Sequence, residues 1–186
     1  MKTPRRILAL FVLLLSPSVA FCAGLPPWQF NMTKQQVASF KQFGPYKTFS
    51  NGDLETYKGI YHGHKENVQF FFQNNRLVRI GVYFGETTDR HKAVSAFRRA
   101  YGILEKDYGK LNIPEKHDPS QAFSRPGAKS NADIDAIAAA MNADLFGQTE
   151  AIPARQPKDM RVVGGIYSRN VQGTKWFYIA IYFEPR

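Results

Sequence analysis

Residues 45–84 read PYKTFSNGDLETYKGIYHGHKENVQFFFQNNRLVRIGVYF, and this stretch decides the predicted fold. It contains four short runs of alternating apolar and polar residues, which are typical of β-strands with one buried face. Asn51-Gly52 and Asn74-Asn75 are tight-turn signals between runs, and a looser turn is predicted at 62–66. The stretch therefore predicts a four-stranded antiparallel β-meander, whose apolar face requires a covering layer of helices.

A short helix is predicted just before the meander, because the sequence carries both a start and a stop signal. Thr33 is suited to cap the helix and Gln36 stands three residues later, which makes a capping box. Met32 and Val37 have the spacing of a hydrophobic staple across that cap. Gly44-Pro45 ends the predicted helix after about ten residues.

The second half of the chain predicts two more helices and a hairpin. The helices cover 88–109 and 130–146, each with an apolar stripe at helical spacing. Between them, 110–129 is polar and contains prolines, so it is predicted to be a long surface loop. Strands at 160–169 and 174–184 form the predicted hairpin, and the second of these is apolar on both faces, which favours a central position in the sheet.

These elements predict an α+β protein in which an antiparallel β-meander and a C-terminal hairpin are packed by about three helices. We expect one domain over 24–186, with a division at the loop 110–129. Gly-Ile-Tyr occurs at 59–61 and again at 165–167. This short repeat leaves open an arrangement in which two helix-plus-sheet halves share one sheet.

Residues 1–23 are predicted to be a secretory signal peptide. Three basic residues precede the apolar run ILALFVLLL, and small residues suited to cleavage follow it. A lipoprotein signal would acylate Cys22, but Phe21 stands where that signal requires a small residue, so we expect no lipid anchor. We therefore expect a periplasmic protein, soluble or peripheral to the envelope.

The chain is basic, with a formal net charge of +10 that falls to +7 once the three signal cations are removed. The remaining cations are scattered, so the charge is expected to serve mainly solubility. An anionic lipid or glycan surface stays open as a partner, whereas nucleic acid is not expected outside the cytosol. The chain contains one cysteine, so no disulfide can form within it and the core alone must hold the fold.

The segment 30–84 resembles the small outer-membrane assembly lipoprotein family BamE (SmpA). The matching residues are Met32, Thr33, Val37, Gly44, Pro45, Phe70, Phe72, Leu77 and Ile80. The resemblance implies a helix-on-sheet fold and an accessory role in envelope assembly. A doubled version of this fold also resembles, more remotely, the β-lactamase inhibitor proteins, which would imply an inhibitor.

The sequence contains no nucleophile elbow and no phosphate-binding glycine loop, so we expect no enzyme and no cofactor. His62-Gly63-His64 is the one metal-like spacing, but it lies in a predicted turn without an obvious third ligand, so no metal site is expected. A site assembled from scattered residues would escape this reasoning, and an uncharacterised hydrolase stays open as an alternative.

Consecutive aromatic residues at 70–72 and 176–178 must point to opposite faces of their strands. One set can enter the core, and the other needs either a second covering layer, such as the loop 110–129, or a partner.

Phe71, Arg79, Tyr83 and Trp176 are the predicted contact residues, since aromatic and arginine side chains anchor interfaces. The expected function is non-catalytic protein binding, or an accessory role, towards an unidentified envelope protein. The alternative is an immunity or inhibitor protein that blocks an envelope enzyme.

Overall fold

The structure, a computed structural model, describes residues 23–112 and 148–186. Its α-helices are α1 (Lys34–Ala38) and α2 (Arg90–Tyr108), with a 3₁₀ turn at Lys41–Phe43. Its strands are β1 (Gly24–Leu25), β2 (Trp28–Gln29), β3 (Lys47–Thr48), β4 (Leu54–Tyr61), β5 (His64–Gln73), β6 (Arg76–Thr87), β7 (Leu111–Asn112), β8 (Gln148–Pro153), β9 (Met160–Val171) and β10 (Thr174–Pro185).

Eight of these strands form one antiparallel sheet in the order β3-β4-β5-β6-β10-β9-β8-β7, and β1 and β2 form a separate ribbon. Each half of the sheet runs in chain order from its edge to its centre, so the last strands of the two halves, β6 and β10, are neighbours. The central position predicted for the final strand is confirmed.

The predicted α+β fold with about three helices on the sheet is wrong, because the structure is mostly β. The described residues contain two α-helices, and only α2 exceeds seven residues. The predicted helix over 130–146 and residues 113–129 of the predicted loop 110–129 lie outside the described residues, whereas Leu111–Asn112 at the start of that loop form β7. The error has a physical cause: β6, β9 and β10 are twelve residues long, and their cross-strand pairs supply many of the buried apolar residues of the core.

The opening helix has the predicted start but is shorter than predicted. The capping box is confirmed: the Thr33 hydroxyl accepts a hydrogen bond from the Gln36 backbone N–H at 3.2 Å, and the Gln36 side chain accepts from the Thr33 N–H at 2.8 Å. Helix α1 ends after five residues, and a 3₁₀ turn follows and ends at Gly44. A short helix of this kind depends on packing, and Val37 is fully buried.

Helix α2 covers one face of the sheet, which we call the inner face. The sequence allows either Thr88 or Asp89 as its cap; the structure has Asp89 in this position, and the helix ends at Gly109 as predicted. Its buried side packs against β6, β9 and β10. Leu104 rests directly on β9 at Gly164, where a Cβ atom would lie 2.5 Å from Leu104 Cδ1. The glycine therefore permits close packing of helix on strand.

The N-terminal ribbon and α1 complete the cover of the inner face. Trp28 is fully buried, and its ring lies 4.8 Å from the rings of both Phe70 and Phe43. The backbones of Asn31 and Met32 bond to Leu77 at the start of β6. Both α-helices thus lie on the inner face, and the alternate residues of the central strands point to the opposite, outer face.

Candidate functional site

Four tyrosines from three neighbouring strands meet on the outer face. Tyr83 lies on β6, Tyr178 and Tyr182 on β10, and Tyr167 on β9. Tyr178 is paired directly with Tyr167, while Tyr182 and Tyr83 lie two positions apart along the β6–β10 ladder. We call this group the tyrosine cluster. It arises because the β-strand period of two places every second residue of the central strands on the same side.

The rings of the tyrosine cluster hold one another in place. Tyr178 is near-parallel to Tyr167, with 5.2 Å between ring centroids, and to Tyr83, with 6.3 Å. Tyr182 stands edge-on to both Tyr83 and Tyr167. The hydroxyls of Tyr83 and Tyr182 share a hydrogen bond of 2.9 Å. Offset and edge-to-face pairs at these distances are favourable, so the surface is organised before any partner arrives.

Two glycines let the rings lie close to the sheet. A Cβ atom at Gly81 would lie 2.9 Å from the Tyr182 ring and 3.0 Å from the Tyr83 ring. At Gly165, a Cβ atom would lie 2.5 Å from Cζ of Tyr167. The absence of a side chain at these two positions leaves the room that the tyrosine rings fill.

The hydroxyls of Tyr83, Tyr167 and Tyr182 stay protonated well above neutral pH. Burial raises the pKa of Tyr83, and the neighbouring Tyr182 raises it further. Burial also raises the pKa of Tyr167, with a smaller contribution from the charge of Glu150. For Tyr182, burial outweighs the opposite effect of its hydrogen bond with Tyr83, so its pKa is raised as well. The cluster therefore offers neutral rings and hydrogen-bonding hydroxyls.

Arginines border the tyrosine cluster. Arg79 forms an ion pair with Glu184 at 2.5 Å, and Arg161 pairs with the other oxygen of the same carboxylate at 3.0 Å. The Arg79 guanidinium also lies 5.4 Å from the centre of the Tyr182 ring and 5.9 Å from that of Phe71. Two cations share one carboxylate, so this border has a net positive charge and N–H groups to spare.

Three of the four predicted contact residues come together here. Phe71 is paired with Arg79 across β5 and β6, and Tyr182 connects this pair to Tyr83. Trp176 lies farther along β10, opposite Arg169, whose guanidinium pairs with Glu86. Whether these residues bind a partner stays a prediction.

Sequence reasoning did not select Tyr167, Tyr178 or Tyr182 as contact residues. The alternation in 177–183 separates Tyr178 and Tyr182 from the buried isoleucines between them, and this signal could have identified both. The placement of Tyr167 against them depends on the register of β9 and β10, which the sequence pattern alone does not determine.

The two histidines of the metal-like spacing lie at the turn between β4 and β5. His62 Nε2 lies 2.8 Å from a carboxylate oxygen of Asp107 on α2, so it ties the turn to the helix. His64 opens β5 and is exposed. Within residues 23–112 and 148–186, no group of three or more His, Cys, Asp or Glu residues is placed to hold a metal ion.

Three buried carboxylates already have structural partners. Asp53 accepts a hydrogen bond from the Phe72 backbone N–H at 2.9 Å, which joins the start of β4 to β5. Glu55 on β4 accepts a hydrogen bond from the side-chain amide of Asn67 on β5 at 3.3 Å. Glu66 pairs with Arg99 of α2 at 2.6 Å. Each of these bonds joins neighbouring parts of the sheet or the sheet to α2, which accounts for the burial of the charge.

No family model, no curated protein and no solved structure matches this chain. Among the described residues, no helix has both the length and the apolar character that a membrane span requires.

Proposed function

We propose that this chain is a non-catalytic binding protein that docks another protein on its tyrosine cluster. The observation that carries the proposal is a set of four interlocked tyrosine rings, held close to the sheet over Gly81 and Gly165, on the face opposite both α-helices of the described residues. Tyrosine provides a large contact area and loses little conformational entropy on binding, and arginine is its usual companion in binding hot spots.

The charge of the border supports an acidic partner surface. Arg79 and Arg161 share the single carboxylate of Glu184, and about half of each arginine side chain is exposed. A partner carboxylate placed between them would receive bonds from two guanidinium groups that are already held in position. The net charge of +7 that remains without the three signal cations would also speed the approach of an acidic partner.

The setting that we propose is the cell envelope. The apolar N-terminal run with its basic start supports export, and the resemblance of 30–84 to an envelope assembly family supports an accessory role there. These are inferences from sequence, and the binding proposal does not depend on them.

The test is a comparison of matched variants in affinity capture from an envelope extract. Phe71→Ala with Arg79→Ala removes one phenylalanine and one arginine at the border of the cluster. Phe49→Ala with Arg155→Ala removes the same two residue types at exposed positions outside it.

We expect the wild type and the Phe49/Arg155 variant to retain one partner protein in stoichiometric amount. The Phe71/Arg79 variant should bind that protein at least about 30-fold more weakly, which corresponds to a hot spot of about 2 kcal/mol. Equal retention of that protein by both variants would contradict the proposal. Equal unfolding midpoints for the two variants would establish that both remain folded.

A further inference from the structure

A row of cations lies along the solvent side of α2, on the opposite side of the molecule from the tyrosine cluster. Lys92, Arg99 and Lys106 are exposed and follow one another at intervals of seven residues. Seven residues are close to two helical turns, so the three side chains share one face. They span about 21 Å at 1.5 Å per residue. Arg98 is exposed beside the row.

The carboxylates near this row are engaged or turned away. Asp89 accepts hydrogen bonds from the backbone N–H groups of His91 and Lys92 at the start of the helix. Asp107 pairs with His62 at 2.8 Å. Glu105 is half-buried at the side of the helix. Asp89 and Glu66 partly compensate the charges of Lys92 and Arg99, and the face keeps a net positive charge through Lys106 and the neighbouring Arg98.

The geometry of the row favours a linear ligand over a membrane. The helix buries its apolar side, including Phe97 and Leu104, against the sheet. Between the cations, the solvent side presents Ser95 and Gly102, both exposed. A helix that lies in a membrane interface needs an exposed apolar side to insert, but the apolar side of α2 is buried against the sheet.

We propose that the row Lys92, Arg99 and Lys106 binds an extended acidic polysaccharide, whose carboxylate or sulfate groups lie along α2. The packing of α2 on β6, β9 and β10 holds the helix in place and so fixes the spacing of the cations. Successive anionic groups of one polymer can therefore bind along the row. This site is separate from the tyrosine cluster, so the chain can hold a polysaccharide on one side and a partner protein on the other.

The test measures binding of the exported, leader-free protein to dextran sulfate and to polygalacturonate, with neutral dextran as the blank. Lys92→Gln with Lys106→Gln removes both ends of the row. Lys58→Gln with Lys158→Gln removes two exposed lysines that are not on α2. Glutamine has nearly the helix propensity of lysine, so the helix should persist.

We expect either acidic polymer to bind the wild type, and the Lys92/Lys106 variant to bind about 30-fold more weakly, since each cation near an anionic surface contributes about a factor of five. The slope of log affinity against log salt should also fall by about two for this variant, because two fewer counterions are released. The Lys58/Lys158 variant should keep most of the affinity and of the slope.

Equal losses in the two variants would show that net charge, not the row, governs binding, and would overturn the proposal. So would tighter binding to phosphatidylglycerol vesicles than to both polymers, or no binding to either polymer at low salt. None of these results bears on the tyrosine cluster, which is tested by the Phe71 and Arg79 variant.

Discussion

Alanine at Gly164 and alanine at Gly165 should have different effects, although the two residues are neighbours on β9. A Cβ atom at Gly164 would point to the inner face and lie 2.5 Å from Cδ1 of Leu104, a fully buried residue on the side of α2 that faces the sheet. A Cβ atom at Gly165 would point to the outer face and lie 2.5 Å from the Tyr167 ring. The first clash is with a side chain of α2 in the core, whereas the second is with a buried ring of the tyrosine cluster on the outer face.

The magnitude follows from the packing around Leu104. Overfilling a close-packed core costs about 1–3 kcal/mol, and replacing glycine by alanine returns about 0.4–1 kcal/mol through the unfolded chain. Gly164→Ala should therefore lower the free energy of unfolding by about 1–2 kcal/mol. Gly165→Ala should displace the Tyr167 ring from its contacts with Tyr178 and Tyr182, so it should change the near-ultraviolet circular dichroism of the tyrosines.

The assay is urea unfolding of four chains: the wild type, Gly164→Ala, Leu104→Ala and the double variant. Leu104→Ala alone should cost about 2–5 kcal/mol because it leaves a cavity. In that background the clashing methyl group is gone and only the gain through the unfolded chain remains, so Gly164→Ala should be neutral or stabilising by up to about 1 kcal/mol. The two changes should therefore be coupled by about 1–3 kcal/mol. A cost of Gly164→Ala that is the same with and without Leu104 would refute the close approach of α2 to β9.

Three further outcomes are expected. Thr33→Ala should lower the free energy of unfolding by about 1 kcal/mol through loss of the cap, and an unchanged urea midpoint would contradict the role of the capping box. Arg99→Met should cost about 1–3 kcal/mol because it leaves the Glu66 carboxylate buried without its cation, and Glu66→Gln in the same chain should recover part of that loss. Burial raises the pKa of Tyr83 and Tyr167 in the folded protein. Their contribution to the free energy of unfolding should therefore be fully present below about pH 10, where unfolded tyrosines ionise, and should be lost as the pH rises further. A urea midpoint that does not fall between about pH 9 and pH 11 would contradict this burial.

Local signals in the sequence predicted local structure well. The capping box at Thr33, the caps of α2 at Asp89 and Gly109, and the turn at Asn74-Asn75 all appear where the residue types require them. Each depends on hydrogen bonds or backbone angles within a few residues, which the sequence specifies directly.

Features that depend on long-range packing were predicted less well. The helix after Thr33 was expected to continue to Gly44, but the buried contacts of Val37 and Phe43 are satisfied by a five-residue helix and a separate 3₁₀ turn. Gly164 and Gly165 lie within a predicted strand, and the close packing that they permit on both faces of β9 depends on contacts with α2 and with Tyr167.

The candidate site could be predicted in part. The pattern of strand aromatics identified Phe71 and Tyr83, and the neighbouring arginine Arg79 followed from charge. The tyrosine cluster itself depends on the pairing of β6 with β10, whose residues are about a hundred positions apart in the chain, so no local pattern indicates it.

The most direct test of the central claim places a photo-crosslinker on each side of the sheet in cells that express the protein. Benzoylphenylalanine would replace Phe71 or Tyr178 on the outer face, and Ser95 on α2 as the control. We predict that positions 71 and 178 give a crosslink to one and the same protein and that position 95 does not. Crosslinks to that protein from position 95 alone, or no crosslink from either outer-face position, would contradict the proposal that the tyrosine cluster docks a partner.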